Sequence, residues 1–410
     1  MSDAGPEKMT DPTPPAGPAK PARHTRPFLV WPVARREFYS SISIALLPPL
    51  VWGVMIFGFR AAEVLLATVL GAALTHRLLK HFTRRGQTLL FSHTLVSALV
   101  LAALSDPFWP PLLMVGAGAA LSLLLLLFEG PGRDRVHPSV VVALLMALVV
   151  VPTVLRHSNS NAPEDAVLAR NRLVMGDIRY AVAQPMVRWP RSDQIGGNDA
   201  VYMSKPSSVL ARLIPQLHQS VLDEKAFDAK VDEAIVDHLP GIDLLMLGLR
   251  PGNIGTVSCL GLVLGGLYLA YRNVLRPRSV LLYLTATVVS LALVSFAPAN
   301  LAHWTGRAGV ASLWRGRADK TLVLQFYQFF SGDILFAAVI ILALPGTEPI
   351  TPRGRRWMLI IAGLITPLLQ LADFPVPVAT TVLLALQPLN PLFDAIFPRR
   401  SWLNARVTSK

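Results

Sequence analysis

Ten separate apolar runs constrain this chain more than any other feature. They occupy 41–59, 61–76, 88–104, 110–128 and 139–155 and, after a long polar stretch, 255–271, 280–296, 322–344, 357–371 and 376–395. Each lies near the roughly 17 to 25 residues that a helix needs to cross a bilayer, two being short enough to lean on flanking residues. Backbone groups in lipid must be satisfied within their own segment, so runs of this length are helices. Hydrophobic residues make up 52% of the chain and charged ones 15%, with a mean hydropathy of +0.48, where soluble domains carry roughly 25% charged residues. An ordinary soluble enzyme is excluded. The expected fold is an all-α polytopic membrane protein with about ten transmembrane helices, its first partner being the lipid bilayer.

Charge placement then gives orientation. The 38 Lys and Arg outnumber the 25 Asp and Glu, a balance that in a soluble chain would suggest nucleic acid. With ten spans both termini share one side, and that side carries 22 of the basic residues against 16 opposite, 11 of which sit in the one long loop. Long loops weigh little in the positive-inside rule. The basic side is therefore cytoplasmic, the positive charge reports topology, and no nucleic acid is expected. Both termini are expected on the cytoplasmic side of a membrane that the chain crosses many times.

Five runs before the polar stretch and five after it make an odd number per half, so the halves enter the membrane from opposite sides as two inverted five-helix repeats. The expected organisation is a disordered Pro- and Ala-rich tail over 1–36, a first membrane half over 37–155, an extracytoplasmic segment over 156–253, a second half over 254–398 and a cytoplasmic tail over 399–410. Val209, Leu213, Leu217 and Val221 recur at helical spacing in the polar segment and read as an amphipathic helix. Prolines predict interruptions at Pro48-Pro49, at Pro107, Pro110 and Pro111, and at Pro367.

Several residues carry possible chemistry. Gly252, Gly255, Gly261, Gly265 and Gly266 open and line the sixth run, where absent side chains let another helix or a planar ligand approach. Ionisable residues inside spans are functional candidates by default. Asp333, early in the eighth run, and Glu348, at its other end, are the ion-path pair. His76, His81 and His93 cluster near the cytoplasmic ends of the second and third runs and read as interface anchors. Cys259 is the single cysteine, which excludes an internal disulfide and a complete cysteine-ligated cluster. No metal site is expected.

Short polar signatures at the membrane edges together carry a family resemblance. Gly252-Asn253-Ile254-Gly255-Thr256-Val257-Ser258, running into Leu264-Gly265-Gly266-Leu267-Tyr268-Leu269, resembles a G-S-I-G-E-x-S … G-G-L-Y-L segment. Ser331-Gly332-Asp333 and Thr347-Glu348-Pro349-Ile350-Thr351-Pro352-Arg353-Gly354-Arg355 resemble S-G-G … T-D-P-V-T-S-P … G-R. Val136-His137-Pro138-Ser139 stands at an F-N-P-A position, and Asn390-Pro391-Leu392-Phe393-Asp394 resembles N-x-x-x-P-L-I-D. The ordered set is similar to the family that comprises the RnfD subunit of Rnf-type electron transport complexes and the NqrB subunit of the sodium-pumping NADH:quinone oxidoreductase.

That resemblance implies a membrane subunit relaying electrons, or scaffolding flavin sites, in an oxidoreductase coupled to Na⁺ or H⁺ movement, with the other subunits of that complex as partners. In the family a threonine in D-A-x-S-G-A-T-P is esterified to FMN. Here the stretch reads Asp199-Ala200-Val201-Tyr202-Met203-Ser204-Lys205-Pro206. An amine cannot form that ester, so covalent FMN is not expected; the flavin expected is held non-covalently, FMN or riboflavin, and Lys205 can pair with the phosphate of FMN. By the same resemblance Gly252, Gly255, Ser258, Gly265, Gly266, Ser331 and Gly332 lie near flavin. No dinucleotide-binding fingerprint is present, so the chain does not oxidise NADH alone. A transporter of the urea or ammonium channel kind shares the ten-span architecture, and a purely structural assembly subunit is a third reading.

Overall fold

In a computed structural model of the chain, residues 35–82, 90–107, 109–128, 137–146, 246–248, 252–295, 329–330, 332–371 and 377–397 are described. Among them there are helices and turns but no strand. The helices are α1 (Arg35–Phe57), α2 (Phe59–Phe82), α3 (Phe91–Leu104), α4 (Pro111–Phe128), α5 (Pro138–Leu145), α6 (Cys259–Tyr271), α7 (Pro277–Ser295), α8 (Asp333–Phe336), α9 (Pro352–Leu371), α10 (Val378–Leu386) and α11 (Asn390–Ile396). α8 runs straight into a π-helical turn, Ala337–Ile341, and a 3₁₀ turn, Gln387–Leu389, joins α10 to α11. By length and apolar character α1 and α2 could each cross a bilayer unaided, while α3, α4, α6 and α7 contain shorter apolar stretches. The amphipathic segment over 209–221 lies outside the described residues, as do Lys205 and Ser331.

Two of the predicted interruptions are absent. α1 continues through Pro48 and Pro49, and α9 through Pro367. A helix tolerates proline where the freed carbonyl finds other company or the ring packs into space, and at Pro49 that space is Gly261 of α6, whose missing Cβ would lie 3.0 Å from the proline backbone. The interruption predicted at Pro107, Pro110 and Pro111 is present as the break between α3 and α4, where the Trp109 N–H donates to the Asp106 carbonyl across the turn; further breaks fall before α6 and in α8.

Helix pairing is regular. α2 packs along α4 and α7 along α9; α1 packs on α6 and α5 on α10; α3 touches α1 and α5, and α8 touches α6 and α10. Adding five to each helix number carries the pair α2–α4 onto α7–α9, α1–α3 onto α6–α8 and α3–α5 onto α8–α10, while the pairs α1–α6 and α5–α10 each join two helices five apart. The two long pairs are tight because small residues face backbone. A Cβ on Gly118 would lie 2.3 Å from the Thr68 carbonyl oxygen, one on Gly71 2.2 Å from that of Val115, and one on Gly363 2.6 Å from Ala286. Hydroxyls reinforce both pairs, Ser122 donating to the Ala72 carbonyl at 2.9 Å and Ser290 to that of Leu364 at 2.8 Å.

The innermost pieces are α3, buried from His93 to Leu104 apart from Leu95, and the stretch 334–344. Leu66, Leu70, Leu74 and Leu78 form an exposed apolar stripe on α2 at four-residue spacing, and Ile44, Leu47, Val51 and Met55 form another on α1. Apolar residues thus lie both inside and outside, the arrangement expected of helices whose surroundings are apolar too.

Candidate functional site

The glycine segment is spent on packing. Residues 252–258 form a buried non-helical run laid against the end of α3. The Ile254 N–H donates to the Ser105 carbonyl at 3.1 Å and the Gly255 N–H to that of Ala103 at 2.9 Å. Ser258 caps α6, its hydroxyl oxygen accepting from the Gly261 N–H at 3.0 Å. A Cβ on Gly255 would meet the Ala103 Cβ at 2.3 Å, one on Gly265 the Ala45 carbonyl oxygen at 2.3 Å, and one on Gly266 the Val339 side chain at 3.1 Å. The approach these glycines permit is already made by α3, α1 and the π turn. Gly332 sits at φ 71° as the residue that starts α8, a left-handed conformation that suits glycine.

The two acidic candidates occupy opposite ends of the α8 region and engage different partners. The Asp333 carboxylate accepts from the Ala379 N–H at 2.8 Å and from the Thr380 hydroxyl at 3.1 Å. It caps α10 from a neighbouring helix, supplying what Pro377 at the N-cap position lacks, a side-chain acceptor. Glu348 takes Arg355 Nε at 2.9 Å and Arg276 Nη1 at 3.3 Å, with 11% of its side chain exposed.

A third cluster is not recognisable as a site from sequence. Tyr39 of α1 stacks on His93 of α3, ring centroids 4.5 Å apart, and the His93 ring lies 6.0 Å from that of His137, the residue just before α5. His137 Nδ1 is 2.5 Å from the Ser139 hydroxyl and Nε2 3.4 Å from that of Ser97. Its backbone N–H donates to Gln387 Oε1 at 3.0 Å, and Gln387 Nε2 donates to the Thr347 hydroxyl at 3.3 Å. Thr347 in turn donates to the carbonyls of Ile341 and Leu344, closing the end of the π turn. Asn390 Nδ2 donates to the carbonyls of Gly346 and Thr347 at 2.9 and 3.1 Å, while its buried Oδ1 has no hydrogen-bond partner among the described residues. His76 joins from α2 through the Thr94 hydroxyl at 3.0 Å.

This corrects the reading of His76 and His93 as interface anchors, for both are buried, and only His81 is exposed. Burial pushes His137 down to about 3, the neighbouring His93 adding to the effect, so at neutral pH it is an uncharged donor and acceptor rather than a cation. Chain spacing alone could not reveal that α2, α3 and α5 bring three histidines together. A signal is nevertheless present: His137-Pro138-Ser139, Thr347 and Asn390 belong to three of the motifs that carry the resemblance, and they meet here. Asp394 of the last motif clasps the same loop, its carboxylate accepting from the N–H groups of Ile350 and Thr351 and from the Thr351 hydroxyl at 2.7 to 3.1 Å. Among the described residues no three His, Cys, Asp or Glu side chains converge as metal ligands.

Described residues that are helical, with leucines turned outward and neutral polar side chains gathered inside, have the character of a membrane subunit. Its sequence matches the NQR2, RnfD, RnfE family over residues 23–402, and the chain is a member of that family. It is 22% identical over 356 residues to the D subunit of the proton-translocating ferredoxin:NAD(+) oxidoreductase complex of Clostridium ljungdahlii, covering 86% of this chain and 87% of that one. It is 26% identical over 392 residues to the D subunit of the ion-translocating oxidoreductase complex of Halorhodospira halophila, covering 94% and 93%.

Proposed function

We propose that this chain is the membrane subunit of an ion-coupled electron-transport complex of the Rnf or Nqr kind, with ten spans in two inverted repeats and both termini in the cytoplasm of a bacterial cell. The observation that carries the assignment is coverage: both relatives align over nearly their whole length, 87% and 93%. Three helix pairs that recur at a shift of five, α2–α4 with α7–α9, α1–α3 with α6–α8 and α3–α5 with α8–α10, support the two-repeat arrangement. Arg272 Nε reaching the Ser41 hydroxyl at 3.5 Å, His137 meeting Gln387, and Glu348 joining Arg276 to Arg355 gather at one end the segments that the charge count assigns to the cytoplasm. The leucine stripes support direct contact with lipid. Affinity purification of the tagged chain from its native membranes is expected to bring companion oxidoreductase subunits with it. A chain that purifies alone, in a detergent that keeps a control complex intact, would sink the assignment.

For the cofactor, the filled glycine face does not fit a flavin. The polar cluster does, on its chemistry: Asn390 Oδ1 is a buried acceptor with open capacity, and His137 and Gln387 beside it are neutral hydrogen-bonding groups. Asn390, Gln387 and His137 are the residues that would hold a non-covalent flavin, which when bound supplies one- and two-electron redox chemistry. In that role this chain's part is to orient the ligand by hydrogen bonds and to exclude water. Covalent FMN is not expected, because Lys205 offers no hydroxyl. A denaturing gel is therefore expected to show no fluorescent band for this chain beside an active flavin transferase, whereas acid extraction of the native complex releases flavin. A fluorescent band would overturn the Lys205 argument, and full flavin content in Asn390→Leu would move the cofactor away from this cluster.

Asp333 and Glu348 are proposed as the acidic residues of an ion route flanking α8. Both Asp333 oxygens accept from the start of α10, so a proton or cation taken up there competes with the anchoring of that helix.

A further inference from the structure

Resting on the membrane-subunit reading, we propose that the basic corner formed by the starts of α7 and α9 is a binding site for the headgroup of an anionic phospholipid. The two helices lie side by side and begin at the same end, because Arg276, just before α7, and Arg355, in the first turn of α9, share Glu348. Arg278, Arg353 and Arg356 complete a group of five guanidinium groups, and neither helix has an acidic residue in its first turn. The positive end of a helix favours carboxylates, so arginines crowded there repel one another and oppose the helix field. The nearby carboxylates do not balance them: Glu348 serves two arginines, and both Asp394 oxygens are taken by Ile350 and Thr351. Arg278, Arg353 and Arg356 are exposed where a phosphate can reach them, beside the exposed but Glu348-paired Arg276.

Apolar surface beside this charge selects a lipid over a free anion. Trp357 is 49% exposed and stacks on Phe397 with ring centroids 6.0 Å apart and planes 13° from parallel, an interfacial aromatic pair. Leu281, Ile350, Leu392 and Ile396 are exposed on α7, on the loop before α9 and on α11. Guanidinium groups for phosphate next to uncovered aliphatic and aromatic side chains match a headgroup with its acyl chains, and a two-phosphate lipid answers the charge excess best.

The test uses the purified full chain, washed in detergent and analysed by native mass spectrometry after exposure to cardiolipin, to phosphatidylcholine or to inorganic phosphate. The variant Arg278→Gln/Arg353→Gln/Arg356→Gln leaves the Glu348 bridges in place. Wild type is expected to retain cardiolipin and not phosphatidylcholine, and the triple variant to bind cardiolipin about a hundredfold more weakly, roughly fivefold per arginine. If the triple variant does not fold, Arg278→Gln alone is expected to show the fivefold loss. Equal retention of cardiolipin by wild type and variant overturns the proposal, as does displacement of bound lipid by millimolar phosphate. Unchanged lipid binding with loss of a companion subunit from the variant would make the corner a protein interface instead, which also overturns it. Lipid is read on this chain whether or not companions copurify, so failure here leaves the subunit assignment standing.

Discussion

Gly118→Ala is expected to cost the folded chain about 3 kcal/mol, while Gly116→Ala, two residues away on the same helix, costs nothing. An added methyl at Gly118 would sit 2.3 Å from the Thr68 carbonyl oxygen and 2.8 Å from the Ala72 nitrogen. Both neighbours are helix backbone and cannot swing aside, so α2 and α4 must separate and surrender the packing between them. At Gly116 nothing lies within 4 Å. There the change gains up to about 1 kcal/mol of helix propensity. Thermal or denaturant unfolding of the two variants in the same detergent measures the difference directly. Equal midpoints would mean that the α2–α4 contact is looser than described, and with it the matching contact of Gly363 on α9.

Asp333→Ala is expected to lose about 2 kcal/mol, since it strips the start of α10 of the carboxylate that accepts from Ala379 and Thr380. Pro377 cannot compensate. Asp333→Asn keeps one carbonyl for the Ala379 N–H and is expected to lose less than about 1 kcal/mol, so it separates anchoring from charge. If the carboxylate belongs to the ion route, reconstituted complex carrying Asp333→Asn transfers electrons but moves no ions. Normal ion movement in that variant would reduce Asp333 to an anchor.

Helix positions are largely legible because bilayer-length apolar runs admit one conformation. The runs 110–128 and 280–296 correspond to α4 and α7 within a few residues. Errors arise where local chemistry is treated as decisive. Prolines at 48, 49 and 367 predict breaks, but α1 and α9 continue through them, and the break in α8 is a π turn that no proline marks. The glycines before and within α6 stand out in the sequence, yet what faces each of them is set by α1, α3 and the π turn, which lie far away in the chain. The polar cluster is hidden for the same reason: His76, His93, His137, Gln387 and Asn390 span more than three hundred positions, and nothing in their spacing announces a shared neighbourhood. Only the ordered motifs carry that information, in the form of a resemblance rather than a derivation.

The hydrogen bonds from Ile254 and Gly255 to the end of α3 bear on how the chain is made. α3 is about 21 Å long at 1.5 Å per residue, shorter than the roughly 30 Å of hydrocarbon, so its final carbonyls do not reach water along the helix. The donors that satisfy Ala103 and Ser105 are encoded about 150 residues later. During synthesis the first five helices therefore leave the ribosome before the donors that complete the end of α3 have been made. The end of α3 is completed only by residues that follow the long polar stretch, so two fragments made by cutting the chain in that stretch are expected to mature only in each other's company.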